Sequence, residues 1–194
     1  MRPFRALLSL GLLLAATSAL IAETPAIGAA APDFELTTVD GQPFSLSSAA
    51  KAHKAVVLMF ISTQCPYSNA YNDRMRDMAS AYAAKGVLFV GLNSNKAEDA
   101  ASVLSHAKKN GHTFPIMKDP QNKVADLYDA QHTPTVYVVD PQGKVRYEGR
   151  IDENSEDPKA VSSPDLRNAL DAMLAGKPIA RSVTKAFGCS IKRV

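Results

Sequence analysis

The residues with the clearest chemical potential are the two cysteines of this 194-residue chain, Cys65 and Cys189. Cys65 lies in the run Phe60-Ile61-Ser62-Thr63-Gln64-Cys65-Pro66-Tyr67-Ser68, directly after the apolar stretch Ala55–Ile61. A short, continuously apolar run suits a strand buried on both faces of a parallel sheet. Pro66 suits the first position of a helix, where a missing N–H costs nothing. Cys65 is therefore expected at a strand-to-helix junction, with unpaired helix N–H groups and the helix dipole favouring its thiolate. Thiolate chemistry covers disulfide exchange and attack on peroxide. Thr63 and Ser68 are the nearby hydroxyl residues that could hydrogen-bond the sulfur. Ser68 stands where a second cysteine would make a local dithiol, so Cys65 has no thiol partner within its own motif.

The surrounding pattern predicts the elements that hold this junction. Residues 23–32 form an Ala- and Pro-containing lead-in. Alternation on either side of Asp40-Gly41 predicts a hairpin over Asp33–Leu46, and Ser47–Lys54 reads as a connection to the buried strand. A helix is expected over Pro66–Lys85, stopping at Gly86. The apolar strand Val87–Leu92 follows, then a helix over Ala97–Asn110, a short extended piece at Phe114–Met117 and a short helix at Asn122–Asp129. Thr135–Val139 and Lys144–Gly149 flank the turn Asp140-Pro141-Gln142-Gly143 as an antiparallel hairpin. After a polar loop over Ile151–Val161, Ser163-Pro164 opens a last helix that ends at Gly176. The tail 177–194 carries five basic residues and Cys189, with no clear periodicity. This order predicts an α/β, thioredoxin-like three-layer sandwich with an N-terminal β-hairpin extension. The domain is expected over 33–176, with no second domain or internal repeat.

Composition narrows the partners. The formal net charge is +3, too small and too evenly spread for a nucleic-acid surface. Arg2 and Arg5, the apolar run Ala6–Leu14 and the small residues Ala15–Ala19 have the form of a secretory leader within residues 1–22. Cleavage after Ala19 fits a small-x-small site better than cleavage after Ala22. An uncleaved anchor over Ala6–Ala22 is the alternative, at the lower limit for a membrane span. Export to a periplasmic or secreted location would place both cysteines in an oxidising or managed redox compartment. No membrane association is expected once the leader is removed.

Cys65-Pro66-Tyr67-Ser68 after its strand, Thr133-Pro134 before the third central strand, and the N-terminal hairpin together resemble the redoxin (AhpC/TSA) family of thioredoxin-fold proteins. Tyr71-Asn72-Asp73-Arg74, Tyr147-Glu148-Gly149-Arg150-Ile151-Asp152 and Gly188-Cys189-Ser190-Ile191-Lys192 look like an exported bacterial subgroup within it. The resemblance implies a cis bond at Thr133-Pro134, with Pro134 facing Cys65 and the Thr133 backbone available to a bound peptide or thiol. The family's peroxidases carry Pro-x-x-x-Thr/Ser-x-x-Cys. Here Ser62 matches the hydroxyl position, but Leu58 replaces the proline. Their arginine is also missing beside Thr133-Pro134, and Arg146 and Arg150 are the residues that could supply a guanidinium from the neighbouring strand.

Through this resemblance the expected activity is thiol-based oxidoreduction, by disulfide exchange or thiol-dependent peroxide reduction. Cys65 would be the nucleophile and Cys189 the resolving thiol, with Thr63, Pro66, Ser68, Thr133 and Pro134 in support. An external thiol would reduce the resulting disulfide, and a protein disulfide or a peroxide would be the substrate; no cofactor or metal is expected. His132 could shuttle a proton or be merely structural. Two other readings compete. A static Cys65–Cys189 bridge would close a loop of more than 100 residues and add roughly 4–5 kcal/mol in the chain-entropy account. A copper chaperone on the same fold would need two thiols and a histidine on one soft metal, and His53, His106 and His112 show no ligand spacing.

Overall fold

The computed structural model describes residues 25–194. The expected leader falls outside the described residues. Five strands form the central sheet: β3 (Ala55–Phe60), β4 (Val87–Asn93), β5 (Ile116–Lys118), β7 (Thr135–Val139) and β8 (Val145–Gly149). Their order is β5-β4-β3-β7-β8. Strands β3, β4 and β5 run parallel, β7 is antiparallel to β3, and β8 is antiparallel to β7.

Every residue of β3 is buried, because helices cover both faces of the sheet. Val57 and Met59 point into one apolar layer with Tyr71, Met75 and Tyr82 of the segment after Cys65, and with Leu166 and Leu170 of α6 (Asp165–Leu174). Val56, Leu58 and Phe60 point into the other, against α1 (Leu46–Ala52) and α5 (Lys123–Leu127). This is the expected thioredoxin-like three-layer sandwich. The hairpin extension is β1 (Glu35–Thr37) paired with β2 (Pro43–Ser45). Gly41 takes a positive φ of 90° in its turn, a conformation that favours glycine.

Several boundaries differ from expectation for identifiable reasons. The connection expected after Leu46 contains α1, capped by the Ser45 side chain and held by burial of Leu46 and Ala50. The single helix expected over Pro66–Lys85 is two helices, α2 (Pro66–Ala70) and α3 (Asn72–Ala83), joined at Tyr71. Tyr71 is 1% exposed, and its hydroxyl donates to Asp152 Oδ1 at 2.9 Å across the fold. The helix expected from Ala97 begins as α4 (Ala100–Lys109), because Asp99 caps it by accepting from Ser102 N. α6 begins at Asp165, after Pro164.

The segment after Gly176 also has order. Ser182 and Thr184 pair with Glu148 of β8 through backbone hydrogen bonds of 2.9 Å each. Further on, β9 (Cys189–Ser190) pairs antiparallel with β6 (His132–Thr133). Two-residue pairings are too short to leave an alternating pattern in the sequence.

Candidate redox site

The site grows from the loop that leaves β3. Ser62 Oγ accepts from the backbone N–H groups of Gln64 (3.1 Å) and Cys65 (3.0 Å). Its own hydroxyl donates to Glu98 Oε1 at 2.6 Å. Glu98 is 1% exposed and also accepts from Thr63 N (2.7 Å), Asn93 Nδ2 (2.6 Å) and Asn95 Nδ2 (2.7 Å). Burial alone would raise the Glu98 pKa, but these donors outweigh it and hold the carboxyl below its ordinary value. A buried carboxylate thus fixes the turn that presents Cys65.

Cys65 is the N-cap of α2, with Pro66 at the first helical position. Its Sγ is 3.4 Å from the donating Ser68 N–H. In the thiol form Cys65 donates to the Thr133 carbonyl at 3.2 Å. α2 has only five residues before the break at Tyr71, so direct hydrogen bonds, more than an extended helix dipole, act on the sulfur. Ser68 contributes through its N–H, while its hydroxyl oxygen accepts from Ser62 N at 3.1 Å. Thr63 does not donate to Cys65. Its N–H serves Glu98, and its carbonyl accepts from Asn69 Nδ2.

The second thiol arrives from the far end of the described chain. The Thr133-Pro134 bond is cis, and Thr133 lies directly opposite Cys189 in the β6–β9 ladder. Cys65 and Cys189 are free thiols within mutual hydrogen-bonding reach. Burial raises the Cys65 pKa, but hydrogen bonding from the Cys189 thiol, together with the Ser68 N–H, lowers it by more, so Cys65 lies below its ordinary value. Cys189 moves the opposite way: its hydrogen bond to Cys65 favours the protonated form, and burial adds to this. Of the reduced pair, Cys65 is therefore the thiol that ionises more readily and Cys189 the one that holds its proton. Cys65 is 3% exposed, whereas Cys189 is partly exposed.

The candidate guanidiniums lie elsewhere. Arg146 pairs with Asp140 at 3.3 Å, on the turn side of the β7–β8 hairpin. Arg150 pairs with Asp165 at 2.7 Å, at the start of α6. Both are drawn to carboxylates of their own neighbourhood. His132 lies on β6 beside the tail, partly buried. Among the described residues no cluster of three His, Cys, Asp or Glu side chains is placed to hold a metal, and no helix is long and apolar enough to cross a membrane.

Of the residues singled out from the sequence, the structure brings Cys65, Cys189, Ser68 and Thr133 together, with Pro134 following Thr133 across the cis bond; sequence reasoning did not single out Glu98 and Asn95. The one available signal was a carboxylate in the polar run Asn93-Ser94-Asn95-Lys96-Ala97-Glu98 just past the end of a central strand, where parallel α/β sheets place their sites.

Comparison with known proteins agrees with this fold. Residues 27–148 match the AhpC/TSA family. The thiol-disulfide oxidoreductase ResA of Geobacillus kaustophilus is 33% identical over 121 residues, covering 62% of this chain and 67% of the relative. A crystal structure of an uncharacterized conserved protein from Geobacillus kaustophilus superimposes with a TM-score of 0.81 at 35% identity, covering 87% of this chain and 93% of that one. A thiol:disulfide interchange protein of the thioredoxin family from Chlorobium tepidum TLS gives 0.58 at 26% identity, over 78% of this chain and 99% of that one.

Proposed function

The chain belongs to the AhpC/TSA family, and we propose that it is a thiol oxidoreductase cycling between the reduced Cys65/Cys189 pair and an internal Cys65–Cys189 disulfide. The observation that carries this reading is the β6–β9 pairing, which sets Cys189 against Thr133 and its thiol beside Cys65. Holding the two sulfurs in place makes disulfide closure a unimolecular step.

In the oxidative half, the Cys65 thiolate attacks one sulfur of an external disulfide, forming a mixed disulfide and expelling the other sulfur as a thiolate. Cys189, having lost its proton, then attacks Cys65 Sγ and releases the second external thiolate. Two electrons leave the protein, and an external thiol later returns them. Peroxide could replace the disulfide through a sulfenic acid on Cys65. Leu58 in place of the proline, and the engagement of Arg146 and Arg150 with Asp140 and Asp165, favour disulfide exchange. Ser68, Thr133, Pro66 and Pro134 shape the sulfur's surroundings, and Thr63 acts on the loop through Glu98. The basic and apolar residues 2–19 support export to a periplasmic or secreted location.

The test is thiol trapping with mass spectrometry, before and after treatment with dithiothreitol and with peroxide. The expected result is a Cys65–Cys189 bridge that forms and opens readily, together with a Cys65 alkylation pKa that rises in Cys189→Ala because the Cys189 hydrogen bond is lost. A bridge that resists dithiothreitol in the folded protein would make the disulfide a static staple and remove this reading.

A further inference from the structure

The tail that delivers Cys189 does so as an added strand. Thr133 pairs with Cys189 and His132 with Ser190, so the backbone edge beside Cys65 already holds an extended, cysteine-bearing segment. Strand addition of this kind is how extended peptides are recognised generally. The fit is close. A Cβ on Gly188, whose φ is 146°, would lie 2.1 Å from the Thr133 carbonyl oxygen. Any segment following this path therefore needs glycine before its cysteine.

The segment is also held firmly beyond the cysteine. Ile191 is 5% exposed within the core, and its N–H donates to Gln131 O at 2.9 Å. Lys192 N donates to Asn95 Oδ1 at 2.7 Å, and Lys96 N to Lys192 O at 2.8 Å. Arg193 pairs with Asp126 at 2.9 Å. A protein disulfide that must lie along Thr133 to reach Cys65 would have to displace all of these contacts.

We propose that this segment is a built-in occupant of the Thr133 edge, and that the protein therefore exchanges electrons with low-molecular-weight thiols and disulfides through the partly exposed Cys189 rather than with protein disulfides. This rests on the reading above that the pair cycles through an internal disulfide; it narrows the substrate class and moves the external adduct from the 3% exposed Cys65 to the partly exposed Cys189. In the reductive direction a small thiolate RS⁻ attacks Cys189 Sγ of the internal disulfide. The S–S bond breaks and Cys65 leaves as the thiolate its surroundings stabilise; a low-pKa thiol is the better leaving group. A second RS⁻ attacks the RS sulfur of the mixed disulfide, giving RSSR and freeing Cys189 as a thiolate, which takes a proton from water. Oxidation by RSSR is the reverse sequence, so Cys189 carries the external adduct in both directions.

The experiment is a single turnover with pre-reduced protein, mixed with glutathione disulfide or with insulin and quenched by alkylation for mass spectrometry. Glutathione disulfide should oxidise the pair at least about 100-fold faster than insulin, the factor set by exposing one buried Ile191-sized side chain to let a chain dock. The transient glutathione adduct should be on Cys189. Gly188→Ala, which cannot keep the segment against Thr133, should raise the insulin rate by at least about tenfold. The wild-type rate ratio and adduct position test the idea without relying on how that variant folds. Insulin oxidising the wild type as fast as glutathione disulfide, or an adduct on Cys65, would overturn the occupant role and leave the oxidoreductase reading standing. Oxidation by neither would remove both.

Discussion

Replacing Glu98 by Gln tests the link between the two halves of the site. The carboxylate accepts four hydrogen bonds, two on each oxygen: from Ser62 Oγ and Asn95 Nδ2 on Oε1, and from Thr63 N and Asn93 Nδ2 on Oε2. A glutamine offers one carbonyl oxygen, so two donors must face its amide NH₂. Ser62 has little scope to turn and accept from that NH₂, because its oxygen already accepts from Gln64 N and Cys65 N. Two buried donors left unpaired cost about 1–3 kcal/mol each. We expect Glu98→Gln to lose roughly 2–6 kcal/mol at pH 7, or a Tm drop of about 2–4 °C for each kcal/mol in a chain of this size. The sign with pH follows from the lowered carboxyl pKa. The stabilisation is fully present above the unfolded-state value and is lost as pH falls through the folded one. The gap between wild type and variant should therefore close on acidification, as Glu98 itself becomes neutral. Asn95 both donates to Glu98 and accepts from Lys192 N, so the variant should also loosen the Cys189 segment and speed alkylation of Cys189. Urea titrations at pH 7 and at acidic pH measure the first effect, and timed iodoacetamide labelling the second. A loss under about 1 kcal/mol at pH 7, or one that does not shrink with acid, would refute the ionised four-acceptor account.

Two more outcomes follow from buried titratable groups away from the sulfurs. His112 stacks on Phe114 at 4.8 Å, and neither buried ring nitrogen has a hydrogen-bond partner. Burial foremost, with the nearby His106 charge, pulls its pKa down to about 4. The unfolded chain then binds the extra proton between that value and the ordinary 6.5, so stability should fall on acidification through this window by up to about 3 kcal/mol. His112→Phe should flatten that slope in urea titrations at stepped pH, and an unchanged slope would place the sensitivity elsewhere. Arg74 donates to both oxygens of Asp152 at 2.8 Å and to the Ser155 carbonyl at 2.8 Å. Arg74→Met leaves Asp152 buried without its cation and should cost about 3–5 kcal/mol in chemical denaturation; a loss below about 1 kcal/mol would show that water replaces the guanidinium.

What could be read from the sequence depended on how far apart the interacting residues lie along the chain. β3 was legible because a fully apolar run announces burial on both faces. The Cys65 junction was legible because Pro66 marks a helix start locally. The hairpin at Asp40-Gly41 and the stop at Gly86 are equally local, each needing a conformation that favours glycine. The features that were not legible depend on distant partners. Tyr71 breaks the helix while its hydroxyl reaches an aspartate 81 residues away. Glu98 looks like one more surface carboxylate until Ser62, 36 residues earlier, hands it a proton donor. Lys192 finds Asn95 across 97 positions. The need for a distant resolving thiol could be inferred from Ser68 in the motif, but not how Cys189 would be held there. That depends on a two-residue ladder and on Gly188, where even one methyl group would meet the Thr133 carbonyl at 2.1 Å. The proposed nucleophile is thus encoded locally, whereas the second thiol beside it depends on the packing of a segment more than 120 residues downstream. Substitutions in that segment should therefore change the chemistry of Cys65 as much as substitutions beside it.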